Sequence, residues 1–435
     1  MNAKAAAAPA PALAHPFLAP WETPFGLPPF EGINPEHFGP AFEGALAEQR
    51  AEIDAIAGDA AEPSFDNTIA ALELSGHNLR RVSAVFFNLA GAHTNDAIQA
   101  TEREMAPRLA KHRNAIFMNE ALFRRVEDLH RRRNDLGLGT EQQRVLDRYL
   151  AIFTRAGARL GERGKKRLAE ITERLATLGT QFSQNVLADE KDYALVLESE
   201  EDLAGLPDFL QAAAARAAVE RGFPGKHAIT LSRSSIEPFL QFSSRRDLRE
   251  QAFRAWTSRG ERGGATDNKA IVAEMVALRS ERAKLLGFPS FAHFKLDDMM
   301  AKTPDAVRQL LDQVWQPARA RAEQEAEALK ALVCEEGGNF ALAPWDWRYY
   351  AEKLRQREHD FDEAQIKPYL QLNRMIEAAF HTANRLFGLQ FKELHGLPVY
   401  HPDVRVFEIQ DASGRHVGLF SATTSPGPPN AAAPG

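Results

Sequence analysis

The stretch Asn268–Gly287, NKAIVAEMVALRSERAKLLG, decides the fold class. Ile271, Met275, Leu278, Arg282 and Leu285 recur with the period of a helix and share one face, and Gly287 is placed to end it. Downstream, Thr303-Pro304-Asp305 opens a second helix with Val307, Leu310, Leu311 and Val314 on its face. Pro317 is expected to kink that helix and Gly337-Gly338 to terminate it. Upstream, Asn34-Pro35 is a cap with proline at the first helical position, followed by Phe38, Phe42, Leu46, Ile53 and Ile56 at near-helical spacing. After a turn-rich break from Gly58 to Ser64, Asn67 opens a helix carrying Ile69, Leu72, Leu79, Val82, Val85 and Leu89. Residues 100–133 and 141–187 are charged, with sparse apolar stripes, and read as helices packed along one side, separated by Gly137-Leu138-Gly139. Strand signals are few. Tyr193–Leu197 and His227–Leu231 are short, and Val404–Ile409, the turn Asp411-Ala412-Ser413-Gly414 and His416–Phe420 form a hairpin. The expectation is a mainly α, multi-helical protein with a small β hairpin or sheet near the C-terminus.

Composition bounds the function. The chain has 435 residues, 44% hydrophobic and 26% charged, which suits a globular protein of two or three domains with a sizeable core. A net charge of −6 disfavours nucleic acid, whose binding needs basic surface. No apolar run approaches the roughly 18 residues of a membrane span, so no membrane is expected. The single Cys334 excludes an internal disulfide framework and a Cys-rich zinc module, and points to the reducing cytoplasm. Met1–Pro20 is rich in Ala and Pro. Pro9, Pro11 and Pro16 interrupt any signal-peptide core, and residues 1–20 are expected as a disordered tail.

The usual catalytic motifs are absent. The sequence holds neither H-E-x-x-H, G-x-S-x-G, G-x-G-x-x-G nor a P-loop. His293 and Asp297 are four apart, and His395, His401 and Asp403 sit close together, but structural roles are favoured for both groups. Cys334, beside Glu335 and Glu336, reads as an inert helix residue. Trp345-Asp346-Trp347-Arg348-Tyr349-Tyr350 reads as a packing anchor. From the residues alone, no catalytic residue and no metal ligand is assigned.

The order of short motifs nevertheless resembles the N-terminal part of a zinc metallopeptidase of the thimet oligopeptidase family, the group of oligopeptidase A and bacterial peptidyl-dipeptidase. The matching pieces are Gly26–Phe30 with Pro35-Glu36-His37, Ser64–Thr68, Glu237–Leu240 with Arg249-Glu250 and Phe253–Ala255. Asp267-Asn268, Leu278-Arg279, Leu286–Phe288, Met300-Ala301, Trp345-Asp346 with Tyr349-Tyr350, and His401–Arg405 complete the order. The resemblance implies half of a helical clamshell flanking a channel that admits short peptides. It implies an N-terminal helical domain over 21–240 and the first part of a peptidase domain over 241–420. In that family zinc is held by H-E-x-x-H and a later Glu, and activates a water for peptide hydrolysis. Val417, Gly418, Leu419 and Phe420 would then lie along the substrate channel and offer main-chain hydrogen bonds to an extended peptide. Intact members are expected to hold zinc, and this chain none. A monomer is expected.

The last fifteen residues, SATTSPGPPNAAAPG, match nothing in the family and read as coil. Codons chosen for them, read from the third base of the Ser421 codon, spell GDYFARPSKRSGAWM, which resembles the family's continuation. Residues 421–435 are therefore expected to be an out-of-frame tail on a truncated, inactive peptidase whose 241–420 region exposes apolar faces. The alternative is a non-catalytic helical protein that binds peptides or another partner.

Overall fold

The computed structural model describes residues 16–17, 19–359 and 366–423. The chain forms two compact units, Met1–Thr180 with Phe391–Gly435, and Gln181–Gln390. It is mainly α, with two small sheets.

In the first unit, α1 (Phe38–Gly58), α2 (Ala71–Leu74), α3 (His77–Ala92), α4 (Asp96–Phe117), α5 (Glu120–Arg131) and α6 (Thr140–Arg155) follow one another along the chain. Phe38 and Phe42 of α1 meet Phe86 of α3 edge-on, at 5.0 and 5.3 Å between ring centres. Ile53, Ile69, Leu122, Val126, Leu146 and Phe153 build a second cluster. The helix expected to run from Asn67 through Leu89 is interrupted. Gly76 adopts φ +69°, and a Cβ there would lie 2.3 Å from the Gln49 amide. Its N–H is taken by Glu52 Oε2 at 2.6 Å, so the chain turns between α2 and α3.

The disordered tail expected to reach Pro20 ends earlier. Phe17 is 2% exposed and packs 5.4 Å from Phe38, while Trp21 Nε1 donates to Pro16 O at 2.7 Å. Burying two large aromatic rings outweighs the entropy of ordering so short a segment, prolines notwithstanding. Residues 1–15 lie outside the described residues.

Helix α7 (Glu162–Asp192) crosses the unit boundary at Thr180. The second unit then runs through β1 (Leu195–Leu197), α8 (Asp208–Glu220), β2 (His227–Ile229), α9 (Arg233–Phe242), α10 (Arg246–Thr257), α11 (Lys269–Leu285), α12 (Phe291–Leu296), α13 (Pro304–Glu335), α14 (Pro344–His359) and α15 (Leu372–Phe387). β1 and β2 pair antiparallel, Leu195 opposite Ile229. Within this unit α9 packs on α14, and Gln241 donates to Glu352 at 2.9 Å. Pro317 does not interrupt α13, which keeps helical backbone over all 32 residues. On α11 the expected face is the more buried one, whereas Val272 and Val276 on the other side are exposed. The expected apolar face of α13 is open: Leu310, Leu311 and Val314 are 63%, 59% and 58% exposed. Among the described residues nothing covers it, and α15 likewise has no buried residue.

Asp346 is the centre of this unit's polar core. Its carboxylate is fully buried and accepts from Arg246 Nε and Nη2 (3.0 and 2.8 Å), Arg249 Nη2 (2.9 Å) and the Ala343 N–H (3.1 Å). Arg249 donates onward to Ser243 O at 2.7 Å and Trp345 O at 3.2 Å, and stacks 4.1 Å above the Tyr349 ring. A buried charge is tolerated only with such saturation.

Candidate peptide-binding edge

The C-terminal sheet belongs to the first unit except for Gln390, and its strand order is β3 (Gln390–Leu394), β4 (Val404–Gln410), β5 (His416–Thr423). β4 is the buried centre: Val404, Val406 and Phe407 are 8% exposed or less. Arg405 on β4 grips Glu393 on β3 with two bonds of 2.8 and 2.7 Å, and the pairing holds the Glu393 carboxyl below its ordinary range.

The turn from β4 to β5 is organised by Asp411. Its carboxylate accepts from Ser413 N, Ser413 Oγ, Arg415 N and Arg415 Nε at 2.6–3.1 Å. These donors stabilise the ionised form and pull its pKa down to about 2. Gly414, at φ +83°, supplies the left-handed turn residue.

β5 pairs antiparallel with β4, Phe420 opposite Phe407, Leu419 opposite Glu408, Gly418 opposite Ile409 and His416 opposite Gln410. Val417 therefore has no opposite number and forms a bulge. The four residues singled out from the sequence lie consecutively on this strand. Val417 and Phe420 are 54% and 43% exposed, while Gly418 and Leu419 are half-buried. Among the described residues β5 is the outer strand of its sheet. No further strand pairs with its outer edge among the described residues, the arrangement to which an extended peptide adds as a further strand. At the start of the strand His416 is held by Glu408 at 3.0 Å and stacks on Phe25 at 5.1 Å. Phe25 itself takes φ +59°, unusual for a bulky residue.

Ser421–Thr423 continue β5, so the first three residues of the segment expected as coil are strand. They satisfy the ladder opposite Val406, Arg405 and Val404 whatever their coding origin. Residues 424–435 lie outside the described residues.

Elsewhere the motif residues act as fasteners. Asn67 and Thr68 of the Ser64–Thr68 motif receive bonds from buried Arg125 (2.9 and 3.2 Å). Asn268 is 3% exposed, accepts from Asn185 at 2.8 Å and donates to Phe182 O at 3.1 Å. Ser290 caps α12 by accepting the His293 N–H at 3.4 Å and lies 2.8 Å from His293 Nδ1, and His401 Nδ1 accepts the Asp403 N–H at 3.2 Å. Among the described residues no three His, Cys, Asp or Glu side chains converge as a metal site. Sequence reasoning missed the Asp346–Arg246–Arg249 group, whose members lie about a hundred positions apart and carry no local spacing.

Residues 239–422 match the model of Peptidase family M3. Dipeptidyl carboxypeptidase of Escherichia coli is 41% identical over 407 residues, covering 93% of this chain and 60% of the relative. Oligopeptidase A of Salmonella typhimurium is 32% identical over 405 residues, covering 92% and 59%. The chain is similar to the M3 peptidase family over residues 239–422. It spans about 60% of the length of the curated relatives it matches. A cytosolic oligopeptidase A homologue of Arabidopsis thaliana, 28% identical over 408 residues, extends the likeness to plants. No helix among the described residues is long and apolar enough to cross a membrane.

Proposed function

We propose that this chain is the peptide-holding part of an M3 zinc metallopeptidase that hydrolyses oligopeptides, and that alone it binds peptides without cutting them. The exposed outer strand β5, with Val417–Phe420 as its contact residues, is the observation that supports this reading. Main-chain pairing along the edge would give affinity, and the bulge at Val417 would set where pairing starts. The sequence holds no H-E-x-x-H, so this reading gives zinc and hydrolysis to the intact family member and neither to this chain by itself. By family resemblance it works on short peptides in the cytoplasm, as a monomer.

The test uses a fluorogenic oligopeptide with added zinc, and the same peptide in a binding titration. The expected result is no chelator-sensitive turnover and saturable binding that a backbone N-methylated peptide loses. Leu419→Pro, which removes one edge N–H and fixes the strand's φ, should weaken binding about tenfold. Turnover abolished by chelator would overturn the non-catalytic reading. Equal binding of the N-methylated peptide would overturn the edge-strand reading. The second reading, a stand-alone non-catalytic peptide-binding protein, is favoured by the same outer strand if binding reaches micromolar affinity without any added polypeptide.

A further inference from the structure

A cavity of about 310 Å³ lies within the first unit, with Ser421 of β5 among its lining residues. Helix α3 lines it with Arg81, Ala84, Val85 and Asn88, one face at helical spacing. The N-terminal segment contributes Trp21 and Phe30, and the approach to β4 contributes Tyr400. Phe30 and Tyr400 meet edge-on at 5.5 Å, so the wall is aromatic and set.

Arg81 is out of character with that wall. Its guanidinium stacks 3.9 Å from the Trp21 ring centre and donates through Nη2 to Ala19 O at 2.6 Å. Its Nε is buried and donates to nothing, and no carboxylate among the described residues pairs with it. Burial without an anion holds its pKa below the ordinary arginine value. A half-buried guanidinium on the wall of an apolar cavity, with no carboxylate beside it, is costly unless an anionic acceptor joins it. A carboxylate supplies it in charge-assisted form, and aromatic walls ask for an apolar body behind it. The volume, about ten waters' worth of space, fits one aromatic acid and excludes a folded partner.

We propose that this cavity binds a small apolar monocarboxylate, with its carboxylate on Arg81 and its hydrocarbon body against Phe30, Tyr400 and Val85. Two sources share this chemistry: a free aromatic acid, and the C-terminal residue of a peptide. Ser421 of β5 also lines the cavity, but a small acid without a peptide backbone can fail to bind here while the β5 edge still takes a peptide, so the two readings fail separately.

The test titrates the full chain with 3-phenylpropionate, following Trp21-sensitive fluorescence and heat. Saturable binding is expected, with 3-phenylpropionamide at least tenfold weaker. Arg81→Met should weaken the acid at least tenfold. Because that variant also loses the bond to Ala19, Ala84→Trp provides a second arm: it fills the cavity from its exposed rim and should abolish binding while the melting temperature stays within a few degrees. Gly-Gly-Phe and its C-terminal amide separate the sources. Binding of the tripeptide but not its amide identifies a peptide C-terminus; binding of the free acid alone identifies a small metabolite. Equal affinity for acid and amide, unchanged affinity in Ala84→Trp, or no saturation by roughly 10 mM, above which affinity is weaker than about 3 kcal/mol, would overturn the proposal.

Discussion

Asp346→Asn isolates one term of the second unit's stability. Asparagine fills the same space and keeps one acceptor oxygen, so the perturbation is the loss of a buried negative charge. Arg249, 2% exposed, is left without its counter-ion, whereas Arg246, 35% exposed, retains access to water. Arg249 also keeps its bonds to Ser243 O and Trp345 O. Neutralising one partner of a buried pair costs about 3–5 kcal/mol, and these residual contacts place the loss near 3. For a unit of this size 1 kcal/mol moves the midpoint by about 2–4 °C, which gives a fall of roughly 6–12 °C. Intrinsic fluorescence is the assay, since Trp256, Trp315, Trp345 and Trp347 lie in this unit and only Trp21 outside it. Glu323→Gln, which breaks an exposed pair with Arg319 at 2.9 Å, is the reference and should cost about 0–1 kcal/mol. If Asp346→Asn lowers the midpoint no further than Glu323→Gln, the argument from burial is wrong.

Three further outcomes are expected. Phe17→Ala should destabilise the first unit by about 3–5 kcal/mol in denaturant melts; an effect below about 1 kcal/mol would mean the segment does not anchor the core. Gly205→Ala should cost more than about 2 kcal/mol, since Gly205 sits at φ +82° and a Cβ would lie 2.4 Å from Phe242 O. Burial, and then the nearby Arg50 charge, lower the His112 pKa below 6.5 in the folded chain. The unfolded chain then binds the extra proton first, so this contribution is present above pH 6.5 and is lost as pH falls from there through the folded pKa; an NMR titration of His112 with its midpoint at or above 6.5 would refute it.

The hairpin was legible because its signals are local: alternating residues on either side of an Asp-x-x-Gly turn whose side chain closes its own loop. The helices of the first unit were legible for the same reason, their apolar period matching the residues that became core. Three things were not. Phe17 stood among prolines and alanines, and only the distant Phe38 shows why it is ordered. Gly76 looked like one residue of a continuous period until the Gln49 side chain denied space to any Cβ. The α13 stripe at Leu310, Leu311 and Val314 read as core-facing, because periodicity announces an apolar face without naming what meets it. As for the site, the strand was readable, but its position at the sheet's edge depends on which strands flank β4.

The first unit is assembled from both ends of the described chain, with Gln181–Gln390 inserted between them. A ribosome adding about 5–20 residues per second needs roughly 10–40 s to make such an insertion. During that interval α1–α6 have emerged without the strands carrying Val404, Val406 and Phe407. The order of synthesis therefore leaves the N-terminal helices waiting for the strands that join their unit, and their facing apolar surface uncovered meanwhile.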